Sequence, residues 1–166
     1  MNLRSFIHII PNWPKPGIEF KDISPLLADP GAFAYAVEAM HPPIEKVDLW
    51  VGIESRGFIF AAALAQRFNG GLVMIRKKGK LPPPFVEEHY ALEYGTDTIQ
   101  MHPGFGRVVI VDDVLATGGT LKAAHQLCVQ AGYNVIGYSS LIELSFIHQQ
   151  NRFLIDDKPV HTVIRY

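Results

Sequence analysis

The sequence is poor in cysteine, in long apolar runs and in excess charge, and each shortage excludes something. One cysteine, Cys128, stands among 166 residues, so no disulfide can form within the chain and a reducing, cytoplasmic setting is expected. The longest apolar run, "GFIFAAALA" at residues 57–65, falls far short of the roughly 20 residues a membrane helix needs. The opening "MNLRSFIHIIPNW" has neither the long apolar stretch nor the small-residue cleavage site of a secretory leader. A formal net charge of -1 provides no global pull toward nucleic acid or membrane, and neither is expected as a partner. The histidines (His8, His41, His89, His102, His125, His148 and His161) are scattered, without "HExxH" or Cys/His ligand spacing. Any metal is therefore expected to arrive with a ligand. The chain is 48% hydrophobic, enough for a folded core, and no linker or repeat divides it. One domain, residues 1–166, is expected.

What is present alternates. "DPGAFAYAVEAMH" predicts a helix, with Asp29 as N-cap and Pro30 at the first helical position. "VDLWVGIE" (Val47–Glu54) reads as a strand, and "RGFIFAAALAQRF" as a helix closed by Gly70 and Gly71. "LVMIRKK" is a strand, the stretch from Gly79 to His89 a loop long enough to be a lid, and "YALEYGTDTIQMH" a strand pair. "RVVIVDDV" is the most buried-looking strand. The helix after it carries Leu121, Ala124, Leu127 and Ala131 on one face and ends at Gly132, and Cys128 near that face reads as packed. "NVIGYSSLIEL" and "VHTVIRY" supply the last strands. Strands alternating with helices imply an α/β fold with a mainly parallel, helix-covered sheet, whose ligands sit at the carboxyl ends of the strands.

One such end is "RVVIVDDVLATGGT", where two carboxylates precede a glycine-rich turn. The Walker loop needs a Gly-Lys-Ser/Thr ending, which "ATGGTLK" lacks, and "GFG" at Gly104–Gly106 lies before its strand, so the dinucleotide fingerprint fails on order. There remain amides and hydroxyls of Thr117–Thr120, able to hold an anion at a helix N-terminus. Asp112 and Asp113 would repel a bare phosphate, yet they suit vicinal hydroxyls or a bound magnesium. A ribose 5-phosphate fits both halves.

These residues carry a family resemblance. "VVIVDDVLATGGT" resembles the phosphoribosyl pyrophosphate motif of type I phosphoribosyltransferases, and "PNWPKPGIEFKDISPLL", "GIESRGFIF", "IRKKGKLP" and "YALEYGTD" resemble, in order, the branch of that family that acts on adenine. The resemblance implies the type I fold, with a small hood from the N-terminal segment and a mobile loop. It implies transfer of a phosphoribosyl group to adenine, with pyrophosphate released, magnesium bound along with phosphoribosyl pyrophosphate, and a homodimer.

By that resemblance Ala116, Thr117, Gly118, Gly119 and Thr120 hold the 5-phosphate, and Asp112 and Asp113 face the ribose hydroxyls. Ser55, Arg56 and Gly57 take the pyrophosphate, with Arg56 also acting in catalysis and a cis peptide expected between Glu54 and Ser55. Arg76, Lys77 and Lys80, with Lys78, form a basic cluster for pyrophosphate capture, part of it serving a neighbouring subunit. Glu19, Phe20 and Lys21 bind the base, although many relatives carry arginine where Lys21 stands, and Leu144 closes the other face of the ring. Glu93 handles the purine proton and Tyr94 helps shut the site. Without the resemblance, Phe20 fits an ordinary core aromatic, Arg56 a surface ion pair and the basic cluster a solvated face. The connection "TIQMHPGFG" is shorter than usual for the family, so that strand pair is expected to turn tightly. Two rivals stand beside the adenine reading. One is a type I phosphoribosyltransferase for another nucleobase. The other is a non-catalytic sensor of phosphoribosyl pyrophosphate.

Overall fold

A computed structural model of the chain describes residues 1–92 and 95–166. Those residues fall into two compact units, Met1–Ala39 and Met40–Tyr166.

The first unit opens with a 3-10 turn over Leu3–Phe6, where the Asn2 side chain accepts from the Arg4 amide at 3.2 Å. Strands β1 (His8–Pro11) and β2 (Glu19–Asp22) then pair antiparallel, with Ile10 opposite Phe20. Asn12 Oδ1 accepts from the Gly17 amide at 2.9 Å and closes the turn between them. Two helices follow, α1 (Ser24–Ala28) and α2 (Pro30–Met40). The α2 start is the expected one, with Asp29 Oδ1 accepting from the Ala32 amide at 2.7 Å. The hairpin was not foreseen, because Pro11, Pro14 and Pro16 break any alternating pattern across it.

The second unit is organised by a sheet of eight strands. They are β3 (Leu49–Ile53), β4 (Gly71–Lys77), β5 (Val86–Ala91), β6 (Thr96–Met101), β7 (Arg107–Leu115), β8 (Asn134–Glu143), β9 (Leu154–Ile155) and β10 (Lys158–Arg165). Their order is β5-β6-β4-β3-β7-β8-β10-β9. Pairing is parallel from β4 through β3, β7 and β8 to β10, and antiparallel at the margins. Helix α3 (Gly57–Arg67) joins β3 to β4, α4 (Gly119–Gln130) joins β7 to β8, and the short α5 (Ser145–His148) follows β8. Val108, Val109, Ile110 and Val111 of β7 are fully buried, as expected for a central strand covered on both faces.

The connections from β3 and β7 depart in opposite directions along the sheet. The crevice between their carboxyl ends is the topological switch point, where sheets of this kind bind ligands.

Three expectations need correcting. The loop from Gly79 to His89 is shorter, because Val86–His89 already belong to β5, whose alternating pattern is masked by neighbouring prolines. Helix α3 ends at Arg67, and its left-handed residue is Asn69 (φ 54°), not glycine. Gly70 supplies an amide to Ala65 O at 2.9 Å, while Gly71 begins β4. Finally, α5 and β9 lie in a stretch that showed no periodicity. The α4 face is as expected, with Leu121, Ala124, Leu127 and Ala131 buried and Cys128 packed among them.

Ile110 is fully buried at the centre of this sheet. Ile110→Ala is expected to lower stability by about 2–5 kcal/mol, and Ile110→Val by about 0.5–1.5 kcal/mol. Urea unfolding of both variants checks the ordering.

Candidate active site

Two loops meet at the switch point, and each leads into a helix N-terminus. After β3 come Ser55 and Arg56, and α3 begins at Gly57, with Phe58 N donating to Ser55 O at 3.2 Å. After β7 come Ala116 and Thr117, then Gly118 in the left-handed region (φ 84°), and α4 begins at Gly119. The first amides of a helix lack acceptors within it, so two such ends set side by side present donors to an anion. A small cavity of about 60 Å³ is lined by Asp112, Val114 and Leu115 and by Ala116, Thr117, Gly118, Thr120 and Leu121.

The loops touch at a residue that admits no side chain. A Cβ at Gly57 would stand 2.7 Å from Val111 O and 3.3 Å from Asp112 Oδ1. The Ser55–Gly57 loop is thereby pressed against the end of β7. The peptide bond between Glu54 and Ser55 is cis, as the resemblance implied.

Charges bind the two loops together as well. Arg56 Nη2 lies 2.7 Å from Asp113 Oδ2, with Asp113 buried and Arg56 about a third exposed. The Asp113 amide donates to Asp112 Oδ1 at 2.9 Å. Burial raises the carboxyl pKa of both residues. The Asp113 charge raises Asp112 further, whereas Arg56 draws Asp113 back down. Arg56 is thus engaged within its own site before any ligand arrives.

The basic cluster is engaged too, by a residue that the sequence did not single out. Glu54 directly follows β3, with its side chain buried. Its Oε2 accepts from Arg76 Nε at 3.1 Å and from the Lys77 amide at 2.8 Å, and its Oε1 from Lys80 Nζ at 2.5 Å. Burial alone would raise this carboxyl, but the Lys80, Lys77 and Arg76 bonds outweigh it and hold the pKa at about 2. Lys77 Nζ reaches Asp97 Oδ2 at 3.2 Å, and the Tyr90 hydroxyl donates to the same oxygen at 3.3 Å. The sequence signal for Glu54 is weak. A lone glutamate at a strand end gains meaning only when β4 is known to pair with β3.

The expected base-binding residues Glu19, Phe20 and Lys21 occupy β2 in the first unit. Phe20 meets the Trp13 ring edge-on at 4.5 Å, and Lys21 Nζ pairs with Glu19 Oε2 at 3.0 Å while almost fully buried. Trp13 was not anticipated here. Leu144, in the second unit, is buried, and its amide donates to Leu115 O at 2.8 Å. Glu93 and Tyr94 lie outside the described residues. Among the described residues no three His, Cys, Asp or Glu side chains converge on a possible metal position.

Comparison with known proteins agrees with this geometry. The phosphoribosyl transferase domain family matches residues 43–155. The chain is 50% identical to an adenine phosphoribosyltransferase of a Synechococcus species, an alignment covering 99% of this chain and 97% of that protein. Identity with the adenine phosphoribosyltransferase of Bdellovibrio bacteriovorus is 48%, with 100% of both chains covered. Among solved structures, the adenine phosphoribosyltransferase of Rhodothermus marinus is similar with a TM-score of 0.89 and 45% identity, covering 99% of this chain and 96% of that one. The Saccharomyces cerevisiae enzyme, solved with adenine and an imino-altritol bisphosphate, has a TM-score of 0.87 at 36% identity, covering 97% and 96%.

The depressed pKa of Glu54 makes a statement about stability. A carboxyl lowered from 4.5 to about 2 on folding contributes fully above its unfolded pKa, and that contribution is lost as pH falls through the folded one. Lys80 is half exposed and therefore screened, so the contribution is on the order of 2 kcal/mol. Glu54→Gln is expected to cost about that much at pH 7 and little near pH 2. Denaturant unfolding of both proteins across this range reads the difference.

Proposed function

The chain belongs to the adenine phosphoribosyltransferase family, and we propose that it joins adenine to 5-phosphoribosyl 1-pyrophosphate, yielding AMP and pyrophosphate in purine salvage. The observation that carries the site is the meeting of two helix-opening loops at the switch point, fastened by Arg56 on Asp113. A ligand with a phosphate at one end, hydroxyls in the middle and a pyrophosphate at the other matches that layout.

In this reading the turn Ala116–Thr120 takes the 5-phosphate, and Asp112 and Asp113 accept from the ribose hydroxyls. Ser55 and Gly57 offer amides to the pyrophosphate, and Arg56 bears on the charge that develops there. Arg76, Lys77 and Lys80 add positive field at that end. Phe20 stacks on the purine while the backbone of Glu19 and Lys21 reads its edge. The Lys21 ammonium already pairs with Glu19, which favours a main-chain contact over a side-chain one. Leu144 offers an apolar surface to the base.

Magnesium fits the donor set as a substrate-borne ion. The adjacent carboxylates of Asp112 and Asp113 suit it, Asp113 is shared with Arg56, and no third acidic group stands with them among the described residues. Held by those residues and the substrate's oxygens, it would offset the charge of the leaving pyrophosphate.

During transfer the bond from the anomeric carbon to the pyrophosphate oxygen breaks, and a purine nitrogen bonds to that carbon. The displaced ring proton goes to Glu93, a role that rests on the resemblance alone.

A second copy of the chain is proposed as the partner. Leu72 and Met74 stand on one face of β4, each 42% exposed, and β4 carries the basic cluster into the loop after it. A copy packed on this face would cover that apolar pair and bring its neighbour close to the basic loop. Among the described residues no helix is long and apolar enough to cross a membrane.

Protein mixed with adenine, 5-phosphoribosyl 1-pyrophosphate and magnesium is expected to yield AMP. Product with another base alone would support the other-nucleobase reading, and tight binding without turnover the sensor. Glu93→Gln keeps size and hydrogen bonding but removes basicity. It is expected to slow single-turnover AMP formation by about 10²–10⁴-fold with little change in direct binding. Normal chemistry with weakened adenine binding would reassign Glu93 to base recognition. For assembly, sedimentation should give a dimer for the wild type and a smaller species for the double variant Leu72→Glu, Met74→Glu. An active wild-type monomer would refute the partner.

A further inference from the structure

Behind the turn assigned to the 5-phosphate lies a stack of buried side chains that the chemistry above does not use. Gly118 has a left-handed backbone, and the position its Cβ would occupy is filled by the Phe153 ring. Phe153 is 3% exposed, so the ring lies directly against the backbone whose amides face the anion. Lys122 Nζ, one turn into α4, sits 5.2 Å from the centre of the same ring. The His148 ring meets Phe153 edge-on, with centroids 5.0 Å apart.

His148 is itself held from two sides. The Gln150 amide donates to its Nδ1 at 3.1 Å. Its Nε2 lies 3.1 Å from Glu143 Oε1, a close approach out of line for a hydrogen bond, with both side chains almost fully buried. The other Glu143 oxygen accepts from Thr162 Oγ1 at 2.8 Å, on the neighbouring strand β10. The contacts run without a gap from the sheet through Glu143, His148 and Phe153 to Gly118. Glu143 also ends the strand that leads directly into Leu144.

We propose that His148 and Phe153 are positioning residues for the phosphate turn: a backing that fixes the direction of its amides and so sets affinity for the 5-phosphate. Neither touches the substrate. The inference rests on the assignment of Ala116–Thr120 to the 5-phosphate. Its physical basis is that a glycine-rich turn has many backbone conformations open to it. Aiming several amides at one phosphate needs packing behind the turn, and a misplacement of about 1 Å can cost about 10²-fold.

The test compares two ligands that probe opposite ends of the site, ribose 5-phosphate and inorganic pyrophosphate, by calorimetry on the full chain. Phe153→Met conserves volume but loses the flat ring, and His148→Ala removes the support behind it. Both are expected to raise the dissociation constant for ribose 5-phosphate by about tenfold or more, with that for pyrophosphate changed less than about twofold. His148→Gln keeps a polar side chain between Glu143 and Phe153 and is expected to recover most of the loss. Equal weakening of both ligands in variants with native circular dichroism would reduce the stack to general stability and overturn the proposal. So would unchanged ribose 5-phosphate binding. Should Phe153→Met not fold, the His148→Ala and His148→Gln pair decides between these outcomes. If the wild type binds pyrophosphate but not ribose 5-phosphate, the assignment of the turn fails and the proposal fails with it.

Discussion

The second unit depends on the parallel pairing of β3 with β7, which runs from Leu49 opposite Val108 to Gly52 opposite Val111. This register puts the end of β3 beside Val111 and Asp112 of β7, so Ser55–Gly57 emerges next to the Asp112–Asp113 pair from a segment far away in sequence. The crossover α3 leads away on one side and α4 on the other, and the crevice is left open between them. A shift of one residue would turn every side chain of β7 to the opposite face. It would move Asp113 away from Arg56 and bury a charge without a partner. Register, apolar burial and the ion pair therefore support one another.

Within that frame, opposite charges are matched before any ligand binds. Arg56 stands on Asp113, and Arg76 and Lys80 gather on Glu54. A site for a polyanion needs positive charge, and unpaired positive charge held close together repels itself. The two carboxylates relieve that repulsion and hold the cations in fixed directions, so that less reorganisation remains for the binding step. Glu54 does this from a rigid place, since its own amide donates to Ile75 O at 3.0 Å. The same strand end thus controls the basic strand β4 and the loop that begins at Ser55.

The glycines divide between two tasks. Gly57 lets one loop press against Val111 and Asp112, and Gly118 lets the Phe153 ring press against the other. In each case what matters is the missing side chain, because backbone must approach a neighbour more closely than a Cβ allows. Such contacts make the loops part of the packed interior on one side.

The alternation of apolar runs with helical faces was enough by itself to determine the α/β class, the central place of β7 and the helix that follows it. The run "VVIVDDVLATGGT" was enough to mark the turn proposed for a phosphate and the carboxylates before it, whereas "GIESRG" was marked by the family resemblance. These are local signals, because periodicity, capping and turn chemistry act over a few residues. Tertiary structure alone decided who meets whom. Glu54 and Lys80 are separated by 26 positions, Glu143 and Thr162 by 19, and Arg56 and Asp113 by more than either. Nothing in a single segment states those pairings, since they arise only when strand order and register bring the ends together. The β1–β2 hairpin, α5 and β9 were illegible for a related reason: short, proline-broken or aperiodic stretches take their form from what packs against them. His148 looked like one scattered histidine among seven. Its place between Glu143 and Phe153 exists only in the folded chain, where its side chain is almost fully buried.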